Sequence, residues 1–320
     1  MQLVEELLQG NRRAVARLIS LVENDDPQKL ALLKKIYPHT GSAYNIGITG
    51  APGSGKSSLV DLLLQEIRDE GLTAGVIAVD PTSPFSGGAI LGDRIRMQDH
   101  ALDNGIFIRS MGTRGSLGGL SRATREAVQV LDAFGKDLVL IETVGVGQSE
   151  VDIVKTADTT VVVLTPAGGD SVQTMKAGIM EIADVFVINK ADLPGAERTI
   201  AEVNIMLDMK KVAKWRPPVL PTIAIRSEGI GPLWQAINEH RHFLEESGRL
   251  LEVRRERVRR ELMDQVEYLV KSKIWDQVKE RMAREQLVEQ IILRKQDPYN
   301  AARELLEKTD FSFGKTGEGE

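Results

Sequence analysis

Residues 50–57 read Gly50, Ala51, Pro52, Gly53, Ser54, Gly55, Lys56, Ser57, which fits G-x-x-x-x-G-K-[ST] in full. Glycines at these spacings let successive backbone N–H groups turn inward as an anion nest. The helix expected to open at Ser57 and Ser58 adds the positive end of its dipole. Lys56 has the reach for β- and γ-phosphates, and the Ser57 hydroxyl is a ligand type for Mg²⁺. The motif directly follows an apolar run at residues 45–49 and opens an amphipathic stretch at 57–70, the context such a loop requires. This is nucleoside triphosphate chemistry.

A second group selects the base. Asn189, Lys190, Ala191 and Asp192 follow an apolar run at residues 185–188, and ligand loops of parallel sheets sit at the carboxyl ends of strands. A carboxylate at Asp192 can accept hydrogen bonds from guanine N1–H and from its 2-amino group. Adenine offers neither donor, so the carboxylate would be left buried and unpaired. The pattern therefore predicts GTP and GDP as ligands. Where many GTPases carry Ser-Ala beside guanine O6, this chain has Ala224 and Ile225, so a backbone amide is expected to make that contact.

Acids stand where Mg²⁺ would need oxygen ligands: Asp80 and Glu142 end apolar runs, and Asp93 follows a Gly-rich loop. Glu142, Thr143, Val144 and Gly145 resemble the D-x-x-G element of GTPases with Glu for Asp, and Gly145 would offer its amide to the γ-phosphate. Gln148 does not directly follow Gly145, as a water-positioning glutamine would, so slow intrinsic hydrolysis is expected.

The elements that must position these groups follow from periodicity. Short apolar runs at residues 45–49, 75–79, 106–109, 138–141, 160–165, 185–188 and 219–225 are mostly unbroken, as parallel strands covered on both faces are. Helical stretches at 57–70, 121–134, 173–182, 196–212 and 232–246 alternate with them. This predicts an α/β fold, a doubly wound and mainly parallel sheet of the P-loop NTPase kind. Residues 1–42 read as an N-terminal helical extension with Asn11 as a helix cap, and 43–248 as the nucleotide-binding domain. Residues 249–310 read as a charged helical arm, either one unbroken helix or a hairpin, with Asp297 and Pro298 starting a last short helix. Residues 311–320 form a polar, Gly-rich tail.

Composition narrows the classes. A net charge of −5, and a basic stretch at 254–260 interleaved with Glu252, Glu256 and Glu261, argue against nucleic acid as a partner. No cysteine is present, and His240 and His242 lie two apart in a helix, so neither thiolate nor histidine metal sites are expected. No apolar run is long enough to span a bilayer, and the first ten residues lack a secretory pattern. No membrane association and a cytoplasmic location are therefore expected.

Taken together, residues 47–57, the stretch V-D-P-T-S-P-F-S-G-G-A-I-L-G-D at 79–93, E-T-V-G-V-G-Q-S-E at 142–150 and Asn189 to Asp192 resemble the MeaB/ArgK family. The resemblance runs over roughly residues 1–310. It implies a GTPase chaperone of an adenosylcobalamin-dependent acyl-CoA mutase, gating cofactor loading and protecting or reactivating the mutase. It also implies a homodimer formed through the C-terminal arm. Carried over residue by residue, it implies a Mg²⁺–phosphate centre of Lys56, Ser57, Asp80, Asp93 and Glu142, with Lys56, Asp93, Glu142 and Gly145 in hydrolysis. Residues 81–93, 142–150 and 166–176 would be its three switches, with Asp170 and Lys176 sensing the mutase in the third. The runner-up is a nucleotide-dependent kinase linked to arginine or ornithine transport. A nickel-insertion GTPase is a third reading, weakened by the lack of Cys and His ligands.

Overall fold

The computed structural model describes residues 2–80, 100, 102–112, 122–143, 152–166, 181–209, 214–284 and 286–309. Seven strands form one sheet: β1 Tyr44–Gly50, β2 Ala74–Asp80, β3 Ile106–Gly112, β4 Leu138–Glu142, β5 Thr159–Leu164, β6 Val185–Asn189 and β7 Val219–Thr222. Their spatial order is β3-β2-β4-β1-β5-β6-β7, and every pairing is parallel. The expected α/β, doubly wound parallel sheet is present.

Alternation along each strand sends successive side chains to opposite faces. Ile46, Ile48, Val76, Leu138, Leu140, Val161 and Val163 pack on one face against α4 (Lys56–Asp69) and α7 (Ile230–Glu246). Ile77, Val79, Val139 and Ile141 pack on the other face against α1 (Gln2–Leu8), α2 (Arg12–Glu23) and α5 (Arg122–Ala133). Both faces are covered, which is why the runs are continuous rather than alternating. Gly47 is required by packing, because a Cβ there would lie 2.5 Å from Ile153 on the short 3₁₀ turn Ile153–Lys155. A further helix, α6 (Ala196–Met209), buries Val203 and Leu207 beside Phe186 and Ile188.

The amino-terminal region holds three helices, the third being α3 (Lys29–Ile36). Asn11 caps α2, its side chain accepting from the amides of Arg13 and Ala14. The buried face of α2 consists of Ala14, Val15, Leu18, Ile19 and Val22. Lys29 and Glu126, both buried, form an ion pair that ties α3 to α5. β7 is shorter than its apolar run suggested, because the chain turns at Ile223 into a 3₁₀ segment, Ala224–Arg226.

The chain divides into two compact units, residues 1–253 and 254–320. The helix α8 (Arg249–Arg284) is followed by α9 (Leu287–Ile292) and α10 (Pro298–Glu307). The last begins at the expected Asp297 cap, whose side chain accepts from the amides of Tyr299 and Asn300. The second unit has a small apolar cluster of Val278, Leu287 and Leu305 with Ile274 against it.

At the amino ends of the strands, a polar chain links three elements. Tyr44 Oη lies 2.6 Å from Thr159 Oγ1, which lies 2.8 Å from His240 Nδ1 on α7. Burial pushes the His240 imidazole down to about 4 from its ordinary 6.5, so the ring stays neutral in the fold. Its contact with Asp184 at 3.4 Å is then no charged pair. The unfolded ring gains its proton near pH 6.5 but the folded ring only near 4, so the His240 contribution to stability falls as pH falls through that window. The loss is at most about 3 kcal/mol. Asp184, raised to about 7 by burial, contributes in the opposite direction. Thermal unfolding of His240→Gln beside the parent protein should show the variant gaining, relative to the parent, as pH drops from 6.5 to about 4. A pH-independent difference between the two would rule this account out.

Candidate nucleotide site

The site begins where β1, buried along its whole length, runs out at Gly50. Gly50 has φ 144°, and a Cβ there would lie 2.1 Å from the Val163 carbonyl oxygen on β5. No side chain can stand at that position. Gly53 and Gly55 also have positive φ, 73° and 94°, so the loop through Ala51, Pro52 and Ser54 curls tightly before α4 starts at Lys56. The amino end of α4, with Ser57 and Ser58 in its first turn, thus points its free amides at the loop.

Three side chains show what the loop is shaped for. The Ser54 hydroxyl is buried without a hydrogen-bond partner among the described residues. Lys56 is buried and donates to the carbonyls of Gly50 at 2.9 Å and Ala51 at 3.0 Å. Ser57 Oγ donates to Glu142 Oε1 at 2.6 Å. A buried ammonium, an orphaned hydroxyl and a helix amino terminus around a glycine cradle fit an anionic phosphate chain.

The hydroxyl–carboxylate pair fits a divalent cation. Two neighbouring ligands of an octahedral Mg²⁺ stand about 2.9 Å apart, given bonds of about 2.05 Å. Ser57 Oγ and Glu142 Oε1, at 2.6 Å, need only a small shift to flank such an ion. Glu142 ends β4, in register with Ile48 of β1 and Ala78 of β2. The ladder continues past it, with Thr143 N donating to the Ile48 carbonyl and Thr143 Oγ1 to Thr49 Oγ1. Asp80 ends β2 at the same carboxyl edge of the sheet. Asp93, Gly145, Gln148, Asp170 and Lys176 lie outside the described residues, as do residues 81–93, 144–150 and 167–176 of the expected switches.

The base-reading loop is fastened to the phosphate loop by one side chain. Asn189 is buried at the end of β6 and its Nδ2 donates to the Ser54 carbonyl at 2.8 Å. Its Oδ1 accepts from Thr222 Oγ1 at 3.1 Å and from the Ala224 amide at 3.2 Å. Gly55 makes room for this, since a Cβ there would lie 2.2 Å from Asn189 Nδ2. Lys190, with φ 60°, donates from Nζ to the Gly53 carbonyl at 2.8 Å. The Ala191 amide donates to the Thr222 carbonyl at 3.0 Å.

These ties leave Asp192 partly accessible, its side chain 25% exposed and 3.9 Å from Arg226 Nη2. Ile225 is 85% exposed on the neighbouring segment. A carboxylate that accepts, an apolar side chain and the Ala224 amide together suit a purine whose edge carries two donors. Thr222 and Arg226 were not among the residues that sequence pointed to. Thr222 is in register with Asn189 across the β6–β7 pairing, and no local spacing signals that partnership.

Comparison with known proteins agrees with this geometry. A family model described as methylmalonyl-CoA mutase-associated GTPase MeaB matches residues 15–281. A protein of Pyrococcus abyssi named as a GTPase is 55% identical over 311 residues, which is 96% of both chains. The mouse mitochondrial protein named methylmalonic aciduria type A homolog is 36% identical over 263 residues, 76% of this chain and 63% of that one. Among solved structures, that of a protein named LAO/AO transport system kinase superposes with a TM-score of 0.71 at 30% identity, covering 96% of each chain. With the phosphate cradle, the base-reading loop and the family match over most of its length in agreement, the chain belongs to the MeaB family of GTPases.

Proposed function

We propose that this GTPase is a chaperone of an adenosylcobalamin-dependent acyl-CoA mutase, gating cofactor loading and protecting or reactivating its partner. The match to a family of mutase-associated GTPases over residues 15–281 is the observation that carries this reading. The likeness to the mouse methylmalonic aciduria protein supports it. In this reading Lys56 and the amides opening α4 neutralise and orient the phosphates. Ser57 and Glu142, with Asp80 and Asp93, would hold Mg²⁺, which supplies charge neutralisation on the transferring phosphoryl group. Gly145 would donate its amide to the γ-phosphate.

The kinase reading has a counterpart in the name of the superposed protein. Asp192 speaks against it, because an ATP-using enzyme gains nothing from a carboxylate beside the base. No helix among the described residues is long and apolar enough to cross a membrane.

The homodimer is part of the same proposal. Leu262, Val266 and Leu269 of α8 are exposed at i, i+4, i+7 spacing, and the apolar cluster of the second unit does not use them. A stripe of that kind on a charged helix suits a second copy of the chain.

Three measurements test the proposal. Calorimetry should give GDP at least about a hundredfold tighter binding than ADP, and Asp192→Asn should shift preference towards xanthine nucleotides. Equal affinities for GDP and ADP would remove the guanine assignment. Light scattering should give a mass of two chains for the intact protein and one chain for Val266→Glu combined with Leu269→Glu. A parent protein already of single-chain mass would refute the arm as a dimer contact. Finally, the cognate mutase should accelerate GTP hydrolysis by at least about tenfold, modest beside what groups supplied in trans give other GTPases. If no adenosylcobalamin-dependent mutase alters the rate, the chaperone reading falls and the GTPase alone stands.

A further inference from the structure

Glu23 closes α2, the central helix of the amino-terminal extension, and it does so against the helix dipole. A carboxylate in the last turn faces the negative end of the helix and weakens it. Helix stability therefore gives no reason for an acid at this position. The reason lies across the interface with β3.

Arg109 of β3 donates from Nη2 to Glu23 Oε2 at 2.9 Å and to Ser20 Oγ at 3.0 Å. The amide of Gly112, the last residue of β3, donates to Glu23 Oε1 at 3.4 Å. The two carboxylate oxygens are thus divided between a side-chain cation and the backbone at the strand's end. The Glu23 side chain is only 11% exposed, so these contacts are partly shielded from water. Among the described residues β3 is the edge of the sheet and pairs with β2 alone. An outward amide on an edge strand has no strand partner, and here the helix supplies the acceptor.

What this contact holds is set by register. Gly112 stands opposite Asp80, the last residue of β2. Two residues earlier on β2, Ala78 stands opposite Glu142, whose carboxylate meets Ser57. A line of backbone pairings therefore leads from Glu23 to the edge of the sheet that carries the oxygen ligands. We propose that Glu23 is a positioning residue for GTP hydrolysis, fixing through Gly112 the carboxyl end of β2, whose last residue is Asp80. This rests on Asp80 being a metal ligand, as in the function proposed above. It gives the helical extension a part in the reaction, acting through backbone rather than by touching nucleotide.

The test uses the full chain and follows steady-state GTP hydrolysis against Mg²⁺ concentration. GDP affinity in EDTA and melting temperature are measured alongside. Glu23→Ala should raise the Mg²⁺ concentration for half-maximal rate about tenfold, the low end for residues that orient metal ligands. GDP affinity in EDTA should stay within about twofold of the parent, since the phosphate cradle is untouched. Glu23→Gln keeps an acceptor for the Gly112 amide while losing the charge pair with Arg109, so its Mg²⁺ requirement should lie between those of Glu23→Ala and the parent. Asp80→Ala, as reference, should raise the requirement more than either.

A parent-like Mg²⁺ requirement in Glu23→Ala, with only a lower melting temperature, overturns the proposal and leaves a structural tether. Should Glu23→Ala not fold, the same result in Glu23→Gln overturns it equally. If Asp80→Ala itself leaves the Mg²⁺ requirement unchanged, the metal assignment of Asp80 fails first and the role of Glu23 fails with it.

Discussion

The site depends on one carboxamide. Asn189 donates to the phosphate loop through the Ser54 carbonyl and accepts from Thr222 and Ala224, so three loops from three strands meet at a single buried group. Each bond contributes only about 1 kcal/mol net, but a buried amide left without partners costs about 1–3 kcal/mol for each unsatisfied group. The three bonds therefore form together or not at all. Their consequence is metric: the spacing between the loop that cradles phosphate and the loop that reads the base is set by protein contacts. The constraint reaches back into the sequence, because Gly55 must lack a Cβ for the Asn189 amide to fit.

The sheet makes that meeting possible. β1 sits between β4 and β5, so the chain leaves β1 at the point where strand order reverses, and crevices open there at the carboxyl ends of parallel strands. Val163 of β5 lies so close to Gly50 that the phosphate loop must turn without a side chain. Glu142 of β4 arrives on the other side and meets Ser57. Strand order thus brings together residues 85 positions apart, and its cause is the burial of unbroken apolar runs between two helical layers.

Much of this was legible in the residues alone, and what was not has a common cause. The phosphate loop, the base-reading motif and the caps at Asn11 and Asp297 are local patterns whose physics lies within a few residues. Strand cores were legible because buried parallel strands are continuously apolar. The end of β7 was not, because Ile223, Ala224 and Ile225 continue the apolar run while the backbone turns into a 3₁₀ segment. The break between α2 and α3 carries a local signal in Asn24, Asp25, Asp26 and Pro27, with Asp25 taking φ 53° at the turn. Thr222 against Asn189 and Glu23 against Arg109 escaped notice for another reason: each pair is fixed by register or packing between distant segments. Sequence shows which residues can do chemistry, whereas tertiary contacts decide which of them meet.

The phosphate loop holds its shape through bonds made by its own side chains. A buried ammonium must be paired, and Lys56 is held by two carbonyls of its own loop. Ser57 is held by the carboxylate of Glu142 in the same way. An ammonium carries three donors, so the loop carbonyls that fix its position are compatible with a bond to an anionic phosphate oxygen, the stronger acceptor. The hydroxyl–carboxylate bond likewise keeps two oxygens near the separation that a small divalent ion imposes. Binding then meets groups already held in position, with little backbone rearrangement to oppose it. That preorganisation rests on β1, β4 and α4, all packed in the core, so the chemistry of the loop inherits the rigidity of the sheet.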